Sequence, residues 1–141
     1  MQDLANNIKL MQSLAPAARD ADANGTGVDR QFYENVAVVV DSGVEGITLS
    51  GTNKIEFELE HSDDDSTYTD CESADVNGTL GSNGLFLTLD ANGETPQISE
   101  IEYIGSKRYV RVVANFSGTH GTATPCSAFV ILGKPRHAPA S

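Results

Sequence analysis

The sequence contains no tryptophan, and aromatic side chains make up only 6% of its 141 residues. This scarcity argues against a carbohydrate-processing cleft, which normally presents an aromatic platform to the sugar. Cations are also few, with 9 Lys and Arg against 20 Asp and Glu, which gives a formal net charge of −11. A surface of this charge repels a phosphate backbone, so nucleic acid is not an expected partner.

Long apolar segments are missing as well. No window approaches the roughly 20 apolar residues that a membrane-spanning helix needs, and the longest apolar runs, at residues 36–40 and 128–132, have the length of strands. The first residues carry neither the basic region nor the apolar region of a secretory signal. We therefore expect a soluble protein made in the cytoplasm, with no membrane partner.

Cysteine is limited to Cys71 and Cys126. In a reducing compartment we expect two small buried thiols, with late oxidation to a disulfide as the alternative if the two lie within bridging distance. The histidines at 61, 120 and 137 stand far apart, and none has a Cys, His or carboxylate partner at zinc-ligand spacing. No metal and no cofactor is expected from them.

An acidic run at residues 63–65, with Asp70 nearby, is the better candidate for an ion, because clustered loop carboxylates suit calcium. No EF-hand pattern is present, and consecutive acids at a hairpin tip are more often solvated turn residues. Both interpretations stay open at this point.

The sequence offers no catalytic constellation. No Ser, Cys or Thr stands on a recognisable strained turn with an identifiable base and orienting acid. Gly78, Gly81 and Gly84 recur every third residue, but no helix opens after them, so they indicate tight turns rather than a phosphate cradle. We expect a non-enzymatic protein without catalytic residues.

What the sequence does contain is a series of short alternating segments joined by turn residues. The clearest is 54–61, where Ile55, Phe57 and Leu59 alternate with glutamates. Three Asn-Gly pairs, at 77–78, 83–84 and 92–93, are strong hairpin signals because both residues tolerate positive φ. The predicted strands cover 32–41, 54–61, 67–71, 85–90, 97–103, 108–116 and 127–132. This pattern predicts an all-β protein, an antiparallel β-sandwich with jelly-roll topology.

The same pattern predicts the core and the domain limits. We expect a core that includes Ile55, Phe57, Leu59, Leu87, Val110, Val112 and Phe129. We expect an N-terminal arm at 1–30, a β-sandwich domain at 31–133 and a C-terminal tail at 134–141. In the arm, apolar residues at helical spacing are followed by Pro16 and the glycines near 25, which end any helix. The tail is too rich in proline to form a central strand of a sheet.

Charge is segregated along the chain, with a sum of −12 over residues 54–102 and +5 over residues 103–141. Segments of opposite sign can pair between or within subunits, or simply form solvated strand faces. The arms and the basic stretch supply the predicted partner contacts. They are Leu4, Ile8, Leu10, Met11, Leu14, Lys107, Arg108, Arg111, Lys134 and Arg136.

Four segments resemble a family of short virion structural proteins of tailed phages and prophages: 103–112 (YIGSKRYVRV), 130–139 (VILGKPRHAP), 13–20 (SLAPAARD) and 61–66 (HSDDDS). The resemblance implies a particle component similar to capsid decoration (cement) proteins, and it brings no catalytic residues. It implies binding to the phage major capsid protein on the capsid exterior, with a homotrimer matching local threefold axes. The alternatives are a tail, neck or head-completion protein, and a carbohydrate-binding or adhesin module.

Overall fold

Strands make up most of residues 3–137 and 139–140, the part of the chain that this computed structural model describes. In chain order the strands are β1 (Ile8–Arg19), β2 (Ala23–Asn24), β3 (Val28–Asp29), β4 (Tyr33–Ser42), β5 (Lys54–Ser62), β6 (Thr69–Asp70), β7 (Val76–Asn77), β8 (Leu85–Leu89), β9 (Gln97–Tyr103), β10 (Tyr109–Ser117) and β11 (Thr124–Pro135). Short 3₁₀ turns occur at Ser73–Asp75 and Ser82–Gly84. The predicted all-β fold is confirmed.

The strands form two antiparallel sheets. Sheet A has the order β1-β11-β4-β9-β7, and sheet B has the order β2-β10-β5-β6, with β3 also paired to β10 and β8 to β5. The inner faces of the two sheets form one hydrophobic core, as in a β-sandwich. The jelly-roll connectivity stays a prediction.

Period-two alternation places the core residues. On β5, Ile55, Phe57 and Leu59 are fully buried, while the glutamates between them are partly exposed. Val110 and Val112 on β10 are fully buried too, so these five core predictions are confirmed. Leu87 is partly buried and packs against the core.

Phe129 was predicted in the core, and that prediction is wrong. Along β11 every second position is buried, so Phe129 lies on the opposite face, turned away from sheet B. The buried positions are Thr124, Cys126, Ala128, Val130 and Leu132. The run around it is apolar on both faces, and the sequence alone therefore does not tell which face is inside.

Residues 8–29 are part of the sandwich and do not form the separate arm that the sequence predicted for residues 1–30. β1 pairs with β11 from Ile8 opposite Gly133 to Arg19 opposite Thr124, and β2 and β3 pair with β10. The register shifts between Gln12 and Leu14 and again between Leu14 and Ala17. At each irregularity the residues that follow switch to the other face of the strand. The apolar residues therefore do not alternate strictly, and their spacing resembles that of a helix.

The first of these irregularities joins the two sheets. Ser13 is buried in β1 of sheet A, and its hydroxyl accepts a hydrogen bond from the backbone N–H of Val112 in sheet B at 2.9 Å. The same hydroxyl donates to the carbonyl of Thr26 at 3.1 Å. Position 25 requires glycine, because a Cβ there would stand 2.3 Å from the Ser13 hydroxyl oxygen.

The other end of the sandwich domain also differs from its predicted limit at residue 133. Strand β11 continues through Lys134 to Pro135, which pairs with Tyr33. The proline is tolerated because it occupies the last position of the strand. Of the two predicted terminal segments, Met1, Gln2, Ala138 and Ser141 lie outside the described residues.

Candidate functional site

The outer face of sheet A is apolar at its centre. Leu10 on β1 lies opposite Ile131 on β11, which lies opposite Ala37 on β4. In the next row Phe129 lies opposite Val39. We call these five residues the apolar face: Leu10, Ala37, Val39, Phe129 and Ile131. Leu10 is exposed, Ala37, Phe129 and Ile131 are half-buried, and Val39 is only 4% exposed because its neighbours cover it.

The apolar face is grooved and has an acidic margin. A groove of about 370 Å³ runs beside β1 and is lined by Leu10, Pro16 and Phe129 among others. A second, of about 440 Å³, contains Ala37 and Ile131 and ends at glutamates 100 and 102 of β9. Leu10 is 60% exposed, so an apolar side chain of the face meets solvent directly.

The outer face of sheet B has the opposite character. Glu56, Glu58 and Glu60 of β5 point away from the core and form the acidic face. Partial burial raises the pKa of Glu58, and the neighbouring charges of Asp70, Glu56 and Glu60 add to the shift. Arg111 offsets part of this charge, since its Nε donates to Glu60 Oε2 at 2.6 Å.

The structure separates the predicted apolar contact residues into two groups. Leu4 and Leu10 are exposed, Met11 is at the margin of exposure, and Ile8 is half-buried at the edge of sheet A. Leu14 is 2% exposed and belongs to the core, so its predicted role as a contact residue is wrong. The register shift next to Ser13 turns Leu14 inward.

The predicted cationic contacts are largely engaged within the chain. Arg108 binds Asp29 through two hydrogen bonds of 2.6 and 3.0 Å, and this lowers the pKa of Asp29. Lys134 forms an ion pair with Glu34 at 2.5 Å, and Lys107 donates to the Thr69 hydroxyl at 3.0 Å.

The remaining two predicted cations complete this picture. Arg111, besides binding Glu60, lies over the ring of Tyr68 at 3.9 Å. The backbone N–H of Arg136 donates to the carbonyl of Phe32 at 2.8 Å. Arg111 and Glu60 therefore join the basic segment to the acidic segment within one chain, whereas Arg108 and Lys134 pair with acids outside residues 54–102.

The acidic hairpin tip uses its carboxylates to hold its own loop. Asp64 accepts hydrogen bonds from the Ser62 hydroxyl and from the backbone N–H groups of Ser66 and Thr67. These bonds hold the pKa of Asp64 far below its ordinary value. Asp65 accepts a hydrogen bond from the Tyr68 hydroxyl. Across residues 3–137 and 139–140, the tip acids do not converge into a group of three metal ligands.

A different group of metal-ligating side chains does converge. One ligand atom each of His61, Cys71 and Asp75 lies within 4.8 Å of the others. Sequence spacing suggested that His61 had no such partner, and this is wrong because the hairpin of β5 and β6 folds Cys71 back beside Leu59. The predicted hairpin was the signal that could have found it, since Leu59 and His61 share a face.

Neither cysteine forms a disulfide. Cys71 and Cys126 are both free and buried, as the first of the two sequence-based interpretations had it. Burial raises the pKa of each thiol. Both are neutral thiols at neutral pH.

The fold and its surfaces define a two-layer antiparallel β-sandwich with one apolar and one acidic outer face. A scan against protein-family models finds no matching family, and a search of the curated proteins finds no match. None of the helical turns in the described part of the chain has the length and apolar character needed to cross a bilayer.

Proposed function

We propose that this chain is a non-enzymatic capsid decoration protein of a tailed bacteriophage, made in the bacterial cytoplasm and bound to the outside of the major capsid protein shell. The observation that carries the proposal is the apolar face of sheet A. In this role the face docks on the shell and the bound protein stabilises the head.

The two outer faces support a one-sided attachment. Contiguous apolar surface on a small protein marks an interaction site, because leaving it in water is unfavourable. The acidic face, with Glu56, Glu58 and Glu60, has no such tendency and suits contact with solvent. Docking through sheet A therefore leaves sheet B outward, where its charge keeps neighbouring particles apart.

Charge and sequence likeness support the phage setting. The net charge of −11 disfavours contact with packaged DNA, which is consistent with a place on the exterior. Residues 103–112 and 130–139 resemble phage virion proteins, and this resemblance is the reason for proposing a phage particle as the setting. A homotrimer would match local threefold positions of an icosahedral shell and would multiply weak contacts by avidity.

Rebinding to shells stripped of this protein tests the docking surface. Leu10→Asp puts a charge into the apolar face at an exposed position, so we expect at least about tenfold weaker rebinding with an unchanged fold. Val44→Asp is the matched control, since Val44 is 64% exposed in the loop after β4 and lies outside the face. Equal rebinding by both variants would show that sheet A is not the docking surface.

Copy number in purified particles tests the role itself. A decoration protein should be present at hundreds of copies, whereas a neck or head-completion protein occupies an axis with about a dozen. Quantitative gel or mass-spectrometric stoichiometry of virions separates these outcomes. Absence from particles, with binding on a glycan array, would favour an adhesin module instead.

A further inference from the structure

We propose that His61, Cys71 and Asp75 form a binding site for one divalent transition-metal ion of the zinc type. The proposal rests on this side-chain cluster alone and is independent of any role in a capsid. It lies at the end of the sandwich where β5, β6 and the 3₁₀ turn Ser73–Asp75 meet.

The backbone fixes all three ligands. His61 is the last but one residue of β5, and the N–H of Cys71 donates to the carbonyl of Leu59 at 2.9 Å, which places the thiol diagonally across from the imidazole. Asp75 closes the 3₁₀ turn, and its Oδ2 accepts from the backbone N–H of Glu72 at 3.0 Å. Its own carbonyl accepts the N–H groups of residues 104 and 105, which ties the turn to the β9–β10 loop.

The distances suit an ion after a small contraction. Three atoms that all lie within 4.8 Å of one another have a point between them that is no more than about 2.8 Å from each. Zinc binds thiolate sulfur at about 2.3 Å and imidazole nitrogen or carboxylate oxygen at about 2.0 to 2.2 Å. Each ligand atom therefore moves by less than about 1 Å to coordinate zinc.

Tyr103 contacts the imidazole of His61 and holds it in place, as residues around the ligands of a metal site do. The Tyr103 hydroxyl lies 3.0 Å from His61 Nδ1, and it also accepts the backbone N–H of Lys107 at 3.1 Å. The two rings meet edge to face, and the Arg30 guanidinium lies 5.4 Å from the centre of the Tyr103 ring. This packing fixes the orientation of the imidazole, as hydrogen bonds to the ring nitrogens do in metal sites.

The ligand types select the ion. A thiolate disfavours magnesium and calcium, which take oxygen ligands, and a mixed sulfur, nitrogen and oxygen set suits zinc or cobalt. Three protein ligands leave a fourth tetrahedral position for water. Cys71 is 2% exposed and His61 is 7% exposed, so an ion enters past the more exposed Asp75. Binding releases the thiol proton to solvent, because the thiolate is the ligand.

Titration of the chelator-treated full chain with cobalt(II) tests the site. We expect one equivalent to bind with a thiolate-to-cobalt charge-transfer band and a tetrahedral ligand-field spectrum, both abolished when zinc is added. Cys71→Ser should abolish the charge-transfer band, and His61→Asn and Asp75→Asn should weaken binding by about tenfold or more. Cys126→Ser is the matched control, because Cys126 is also a buried free thiol, and it should leave the titration unchanged.

Asp75→Asn tests the site even if the variants at the buried residues His61 and Cys71 do not fold. Asn retains an oxygen for the Glu72 N–H, so this variant should match the wild-type melting temperature in chelator and lose only the rise that zinc produces. A charge-transfer band that survives Cys71→Ser or disappears in Cys126→Ser would overturn the proposal. So would the absence of any thiolate-coupled band in the wild-type chain.

Discussion

The side chain of Ser13 links β1 of sheet A to β10 of sheet B at the edge of the sandwich. Ser13→Ala leaves the buried N–H of Val112 without its acceptor, because that N–H points to the hydroxyl and not to a neighbouring strand. We expect a loss of about 1 to 3 kcal/mol in the free energy of unfolding. Denaturant titration measures it, with Ser106→Ala in an exposed loop as the control, expected within about 0.5 kcal/mol of wild type.

Another single residue, Glu58, makes the stability of the protein depend on pH. Its pKa is raised above 4.5 in the folded state, so the folded protein holds this proton more tightly than the unfolded chain does. The resulting stabilisation is present below pH 4.5 and is lost as the pH rises through the folded pKa. Glu58→Gln should therefore raise the melting temperature at pH 7 and match wild type in acid. Equal melting temperatures at pH 7 would count against this assignment.

Asp29 should give the opposite pH dependence. Its pKa is lowered below 3.8, chiefly by the hydrogen bond from Arg108, so its stabilisation is present above pH 3.8 and lost as the pH falls. Asp29→Asn should melt at a lower temperature than wild type at pH 7, with a difference that shrinks in acid. Because this ion pair is substantially exposed, we expect a small effect that high salt reduces.

At the scale of elements, the turn before β8 needs a glycine for two reasons. Gly84 has φ +72°, and a Cβ there would stand 2.3 Å from the Leu59 carbonyl oxygen. Gly93 has φ +88° with open space around it, and Gly51 has neither feature. We expect alanine to cost well over about 1 kcal/mol at Gly84, about 1 kcal/mol at Gly93 and almost nothing at Gly51. Chemical denaturation of the three variants measures this order.

The two faces of the strands can be told apart by a pair of phenylalanines. Phe57→Ala empties a fully buried site between the sheets and should cost about 3 to 5 kcal/mol. Phe129→Ala removes a half-buried ring from the outer face of sheet A and should cost clearly less. A cost below about 1 kcal/mol at Phe57 would show that the register of β5 is wrong.

Element by element, the sequence was most informative where one face is polar. The glutamates of β5 fixed its register, and β9 has the predicted limits at Gln97 and Tyr103. β11 is apolar on both faces, so the orientation of Phe129 could not be predicted. In β1 the two register shifts hide the strand period. His61 and Cys71 come together through hairpin pairing, which spacing along the chain does not report.

At the scale of the whole molecule, the N-terminal segment is a structural part of the sandwich. Deletion of residues 1–19 removes β1 together with the core side chain of Leu14 and the Ser13 bridge. We expect this variant to lose cooperative unfolding, as measured by circular dichroism and heat denaturation. If it melts like wild type, β1 is a dispensable edge, and the expected arm would describe it better.

The pairing of β1 with β11 also sets the order in which the protein is completed on the ribosome. The first long strand to be made cannot find its partner until residues 124–135 have left the exit tunnel. At a translation rate of about 5 to 20 residues per second, the intervening chain takes about 5 to 20 s to synthesise. β4 can pair with β9 earlier, but its other partner is also β11, which lies between β4 and β1. Every strand of sheet B ends by residue 117, so the acidic half of the sandwich can be complete before β11 emerges, and the apolar half is completed last.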